Sequence, residues 1–335
     1  MAVRLTGSQA SKTQPTTALV GLPTAPGALA LPVAEVEAAA SYAKAEKAAA
    51  TRRAYKTDFL IFQAWCADRG ATALPAEPAT VAAFLAWEAN RHTRPSTIGR
   101  RAAAIRYAHK LAGHAIPTDD ERVRATMRGI RRAVGSAPTK KTPATSDRIM
   151  AMTPVSGIGL ADLRDRALLL LGFAGAFRRS ELVALDIEDF EETKDGLRVM
   201  IRRGKTDQEG QGAIIAIVRG TVACPVAAYM AWIEAANIST GPVFRPIAKG
   251  GRLQEARLTD RSVAKIVKAH AARIGLDPAG FSGHSLRSGF LTSAAARGAS
   301  IFKMMDVSRH RSMDTLRGYV RDAELFKDHA GAGLL

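Results

Sequence analysis

Four side chains in one late stretch of the sequence could act together on a phosphate: His284, Arg287, His310 and Tyr319. A tyrosine phenol has an ordinary pKa of about 10 and becomes a nucleophile only where cations or a base favour its anion. The cations lie close by in sequence. His284 and Arg287 stand at i and i+3, so on a helix they project from one face and can meet a single phosphate together. Arginine offers phosphate oxygens a planar fork, and histidine can donate or carry a proton near neutral pH. Each residue also has a plainer reading. His284-Ser285-Leu286-Arg287 could open a helix capped by Ser282 or Ser285 with Leu286 in a core, and Tyr319 could be an amphipathic surface residue. It is the combination that points to phosphodiester chemistry.

The spacing, His-x-x-Arg and then a second histidine with a tyrosine nine residues beyond it, resembles that of the tyrosine recombinase (phage integrase) family. Two further blocks fit the resemblance. Arg178-Arg179-Ser180-Glu181 follows an apolar run from Leu168 to Phe177, and Lys205 falls in a segment that reads as a β-hairpin. The family pattern places its arginine three residues before the glutamate, which selects Arg178 over Arg179. Arg309 is a departure, because many members carry glycine before the second histidine; it bears on the local turn and not on the chemistry.

The resemblance implies a DNA strand transferase. Tyr319 would attack a scissile phosphate to leave a 3′-phosphotyrosine and a free 5′-hydroxyl. Arg178, Arg287 and His310 would steady the charge that builds on the phosphate, His284 would take the phenolic proton or hold the phosphate, Lys205 would protonate the leaving oxygen, and Glu181 would orient the site. No cofactor, metal or ATP is expected. The implied partner is a specific double-stranded DNA site, bound by a homo-oligomer, a tetramer exchanging strands through a Holliday junction. Two alternatives compete. A type IB topoisomerase-like enzyme would use the same chemistry alone, and a nonenzymatic DNA-binding protein would keep only the fold.

The whole chain suits such a partner. It has 335 residues, enough for two domains with their own cores, and a formal net charge of +17. An excess this large implies a polyanion. No segment of eighteen apolar residues exists, and two distant cysteines, Cys66 and Cys224, have no metal-ligand spacing and read as small core residues of a reduced interior. The setting expected is cytoplasmic and nucleoid-associated.

The elements that must position the chemistry can be read in outline. Residues 1–34, rich in Ala, Thr, Gly and Pro, read as a disordered lead-in. Residues 35–134 show helical periodicity, with Tyr55, Phe59, Phe62 and Trp65 at core spacing, and predict an all-α DNA-binding domain. The resemblance identifies it as a SAM-like core-binding bundle. Eleven Lys or Arg against three acids between Arg91 and Arg132 mark a DNA-facing surface, on which Arg94, Ser96, Thr97, Arg100, Arg101 and Arg106 are the candidate contacts. Residues 135–146, with Lys140 and Lys141, read as a basic linker. Residues 147–335 would form a mixed α+β catalytic domain with a small antiparallel sheet. Strands are predicted at 186–192, 197–203 and 213–218, and a helix at 259–274 presents Arg261 and Lys265 to solvent or DNA. The tail holds Leu325, Phe326, Leu334 and Leu335, an amphipathic end that in the family docks on a neighbouring protomer.

Overall fold

A computed structural model describes residues 32–135, 140–155, 159–202, 204, 212–323 and 331–332. The chain divides into two compact units, Met1–Pro138 and Thr139–Leu335. The architecture is mainly α with one three-stranded antiparallel sheet, as the sequence predicts. Among the described residues no helix is long and apolar enough to cross a membrane.

The first unit is built from α1 (Val33–Ala45), α2 (Ala49–Ala67), α3 (Pro78–Asn90), α4 (Pro95–Leu111) and α5 (Glu121–Val134). Proline at the first turn of α3 and α4 starts each helix without losing a needed hydrogen bond. The aromatic periodicity becomes the core: Phe62, Trp65 and Phe84 are buried against one another, with ring centroids 5.0 to 6.4 Å apart. In α5, Val123, Met127 and Ile130 face inward while Arg124, Arg128, Arg131 and Arg132 face water. Asp120 caps that helix by accepting the Arg122 N–H at 2.9 Å.

The second unit forms around α7 (Leu160–Ala174), which follows α6 (Ser146–Met152). Ala167 to Gly172 are all buried, so the C-terminal half of α7 is apolar on every side and must lie inside, while Asp162, Arg164, Asp165 and Arg166 mark its first half. After it come α8 (Arg179–Ala184), then β1 (Phe190–Thr193), β2 (Gly196–Ile201) and β3 (Ala213–Val218) in sheet order β1-β2-β3. The first strand starts four residues later than its alternation predicts. Residues 187–189 form a 3-10 turn instead, closed by the Asp186 N–H donating to the Asp189 carboxylate at 2.8 Å. The chain continues through α9 (Pro225–Ala236), α10 (Asp260–Arg273), α11 (Ser285–Ala296), α12 (Ile301–Ser308) and α13 (Met313–Ala323). Cys66 is buried, as expected, but Cys224 is only half-buried, because it serves as the N-cap of α9.

Helix α11 is held in place by two close approaches. Gly172 of α7 lets Leu286 lie directly against the helix backbone, and Gly289 of α11 lies so near Ala144 that a Cβ there would overlap the Ala144 carbonyl. Residues 140–146 therefore do not form a free linker. They run along α11 as a strap, with the Thr142 N–H on the Gly280 carbonyl, the Ala144 N–H on the Ser285 carbonyl, each at 2.9 Å, and the Ser146 N–H on the Ser293 hydroxyl. Ala144 is completely buried. Residues 136–139 lie outside the described residues.

A methyl group at Gly289 has only backbone to displace, so Gly289→Ala is expected to lower stability by about 1–3 kcal/mol or more, seen as a fall of several degrees in the thermal midpoint of the second unit. Gly129→Ala provides the contrast. Gly129 lies in the exposed face of α5 with nothing near its missing Cβ, and the change is expected to stabilise by about 0.5–1 kcal/mol.

Candidate active site

The turn that joins α7 to α8 is the floor of the site. Helix α7 ends at Gly175, and Ala176, at φ 44°, turns its carbonyl back to accept the Arg287 guanidinium at 2.6 Å. A helix C-terminus carries partial negative charge, so this is a favourable seat for a cation. Two residues later, Arg178 stands as the N-cap of α8 rather than inside the helix. Its own N–H donates to Glu181 at 2.9 Å and its side chain reaches the other Glu181 oxygen at 2.5 Å. The neighbouring Arg179 turns away and pairs with Asp260 at 3.1 Å.

From the opposite side comes α11. His284 is its N-cap, exposed at the rim, and Arg287 one turn later is buried, with 1% of its surface accessible. The end of α12 supplies the rest. Arg309 caps that helix in the left-handed conformation and directs its side chain inward, donating to Glu181 at 2.7 Å and to the Val307 carbonyl at 2.7 Å, over the ring of Phe177. His310 follows, with its ring 3.2 to 3.3 Å from the Arg287 guanidinium.

The tautomer of His310 follows from counting protons. The Ser308 hydroxyl has one proton, which goes to the Met304 carbonyl at 2.6 Å, an acceptor only. The same hydroxyl oxygen lies 2.8 Å from His310 Nδ1, so Nδ1 must carry the hydrogen and donate it. Nε2 is left as the bare nitrogen, and the Arg287 guanidinium lies 3.2 Å from Nδ1 and 3.3 Å from Nε2.

Tyr319 lies half-buried on α13 and packs against Leu291 of α11, Met304 of α12 and Leu316 of its own helix. It is near enough to Arg287 that the charge of its phenolate would raise the pKa of that guanidinium. Among the described residues no group of three or more His, Cys, Asp or Glu could hold a metal ion. Lys205 lies outside the described residues, and so do Leu325, Phe326, Leu334 and Leu335. On the described part of the chain before Lys205, the Arg202 guanidinium donates to Asp186 at 2.5 Å and to Asp189 at 2.9 Å and so fixes the end of β2 to the end of α8. Arg257 joins Asp186 from the other side.

Crowded cations in a dry site shape the acid–base properties. Burial, then the nearby Arg178 and Arg309, push Arg287 down to about 9, still high enough to keep its charge at neutral pH. Partial loss of water around the rim-exposed His284 ring, ahead of Arg287 and Arg178, lowers its pKa, and burial pushes His310 down to about 4, so both rings are neutral at pH 7. Burial alone would raise the Glu181 carboxyl, but Arg309 and Arg178 more than reverse this and hold it below its ordinary range.

The candidate DNA contacts of the first unit have unequal freedom. Arg94 and Ser96 are exposed and Thr97 half-buried at the start of α4. Arg100 is exposed and pairs with buried Asp58 at 3.1 Å, and Arg106 is exposed but paired with Asp119. Arg101 is turned inward to Glu88, which is 2% exposed and also accepts the Thr93 hydroxyl at 2.6 Å. In the second unit Lys140, Arg261 and Lys265 are exposed, and Lys141 donates to the Ala279 carbonyl at 2.8 Å. Sequence reasoning did not find Ser308, and it treated Arg309 only as a departure; their adjacency to His310 was the available signal.

Comparison with known proteins follows the same lines. Residues 142–325 match the phage integrase family. The chain is 39% identical over 290 residues to an integrase/recombinase XerD homolog of Selenomonas ruminantium, covering 85% of each chain. It is 25% identical to the recombinase Cre of Escherichia phage P1, over 78% of this chain and 80% of that one. Among solved structures, a lambda integrase dimer bound to a COC' core site has a TM-score of 0.59 at 14% identity, covering 88% of this chain and 77% of the other. The XerH recombinase in a post-cleavage complex with its difH substrate has a TM-score of 0.56 at 15% identity, over 77% and 72%. At such identities the likeness shows a shared fold.

The depressed His310 makes a pH signature. Between about pH 4 and 6.5 the unfolded chain binds a proton at this histidine that the folded chain refuses, so stability rises with pH through that window and is lost as pH falls. Glu181, also depressed, adds a loss of the same sign at lower pH. In urea titrations without DNA, His310→Gln is expected to flatten the slope by on the order of 1 kcal/mol per pH unit between pH 6.5 and 5; equal slopes would mean His310 titrates normally.

Proposed function

The chain belongs to the phage integrase family, and on that premise we propose that it is a site-specific DNA recombinase in which Tyr319 cuts and rejoins strands. The observation that carries the reading is the meeting of Arg178, Arg287, His284 and His310 around the α7–α8 turn, with Tyr319 on the neighbouring helix α13. Such a constellation has one evident use, the handling of an anion beside a nucleophile.

The reaction follows from these groups. The Tyr319 oxygen attacks phosphorus as the phenolic proton passes to His284, whose lowered pKa leaves it neutral and able to accept. The bond from phosphorus to the 5′-oxygen breaks, leaving a 3′-phosphotyrosine, and Lys205 delivers a proton to the departing oxygen. Charge on the nonbridging oxygens meets the guanidinium groups of Arg178 and Arg287, fixed beforehand by Glu181 and the Ala176 carbonyl. His310 joins them once a phosphate is present, because the negative charge favours its protonated ring, which can then donate from Nε2. The ester to tyrosine keeps the energy of the broken bond, so a 5′-hydroxyl from another strand can reverse the attack with no ATP and no metal. A homotetramer would hold two duplexes and pass them through a Holliday junction.

DNA would be held by both units. Arg94, Ser96, Thr97 and Arg100 begin α4 and surround its N-terminal N–H groups, with Arg106 further along, while Arg101 acts through Glu88. Lys140, Lys141, Arg261 and Lys265 are the counterparts in the second unit. Relatives solved with DNA, such as the lambda integrase dimer on its core site, support a duplex as the ligand.

Covalent trapping tests the reading. Wild type and Tyr319→Phe are incubated, with chelator present, on nicked duplexes tiled from DNA flanking the gene, and run on a denaturing gel. A slow-migrating adduct is expected in wild type alone, with DNA affinity in the variant nearly unchanged. An adduct persisting in Tyr319→Phe would remove Tyr319 as the nucleophile.

A further inference from the structure

From the geometry we infer that Arg309 is a positioning residue of this site: it clamps the buried Glu181 carboxylate so that Arg178 keeps its free face and its charge for phosphate. The inference rests on the reading that Arg178 and His310 act on a phosphate. Three observations carry it.

The first is the backbone. Arg309 has φ 58° and ψ 39°, a conformation that burdens any residue with a Cβ and that glycine adopts freely. If the turn after α12 had only to reverse the chain, an arginine would be a poor choice. The second is the side chain. It leaves solvent, with 13% of its surface exposed, and ends against Glu181, Val307 and the ring of Phe177. A buried guanidinium is unfavourable unless paired, and this one is paired to the residue that also holds Arg178.

The third is how the carboxylate is shared. One Glu181 oxygen takes the Arg178 side chain; the other takes the Arg178 N–H and the Arg309 guanidinium. A carboxylate and an arginine left alone settle into a two-pronged pair that uses both oxygens and both terminal nitrogens. With both acceptor positions of its second oxygen filled, by the Arg178 N–H and by Arg309, Glu181 holds the Arg178 side chain through its first oxygen alone. The remaining N–H groups of Arg178 stay available. The charge count agrees: Arg178, Arg287 and Arg309 against Glu181 leave the site at +2 with both histidines neutral, whereas without Arg309 it would stand at +1. Arg309 also immediately precedes His310, so the same left-handed turn directs that ring toward Arg287.

The test uses the full chain and four variants: Arg309→Met, Arg309→Lys, Arg309→Gly and Glu181→Gln, with Arg309→Met also combined with Glu181→Gln. Adduct formation on a nicked duplex is followed to give a maximal rate and a half-saturating DNA concentration, and the His310 ring is titrated by NMR without DNA. Arg309→Met is expected to lower the maximal rate on the order of 10- to 100-fold with little change in half-saturation. Lys should recover part of it. Gly, which relieves the turn but removes the clamp, should be as slow as Met. The His310 midpoint, about 4 in wild type, should rise in Arg309→Met, as the cation that offsets Glu181 beside this ring is lost, and the rise should vanish in the double variant. Wild-type rate in the Gly variant, a loss confined to half-saturation, or rate losses that multiply in the double variant would each overturn the clamp. If wild type forms no adduct on any duplex, the functional reading falls, and the NMR titration still decides the clamp by itself.

Discussion

One buried carboxylate governs how much positive charge this site can hold. Glu181 is 3% exposed and accepts from two guanidinium groups, one from its own helical turn and one from the far end of α12. Remove it and Arg178, Arg287 and Arg309 face one another without a counter-ion in a largely buried setting, where like charges repel more strongly than in open water. The lowered pKa values of both histidines record that crowding, behind burial. An anion entering the site meets donors already fixed and already short of negative charge.

The secondary structure serves that arrangement at its ends rather than along its length. The C-terminus of α7, the N-cap of α8, the N-cap of α11 and the C-cap of α12 all supply site residues or their seats. Helix termini leave backbone groups without partners, and here the carbonyls of Gly175, Ala176 and Val307 take arginine donors. Close packing makes the ends meet: α11 touches α7 through Leu286 on Gly172, and touches residue 144 through Gly289.

Much of this was legible in the sequence where the signal is local. The i, i+3 spacing of His284 and Arg287 survives as a helix N-cap and its first turn, and the aromatic periodicity of residues 59–65 is a buried face. The mainly α fold with a small antiparallel sheet followed from the same kind of pattern. Other features depend on partners far along the chain. Arg309 meets Glu181 across 128 positions, so nothing nearby in sequence distinguishes it from a surface arginine. The inward turn of Arg101 depends on a buried Glu88, which shares the helical face of Val81, Phe84 and Leu85 but by its charge alone would be placed in water, and the first strand was shortened by a carboxylate-closed turn that alternation cannot reveal. Lys205 lies outside the described residues.

The strap along α11 changes where this chain can be divided. Residues 140–146 look, by composition, like the end of a tether, and a natural place to join a different N-terminal unit would be just after them. Yet their N–H groups complete the Gly280 and Ser285 carbonyls, and Ala144 fills the gap that Gly289 leaves. A chimaera spliced at residue 147 would carry away part of the wall behind His284 and Arg287, whereas one spliced before residue 140 would take the wall with it. The boundary that keeps the second unit whole thus lies upstream of the one composition suggests.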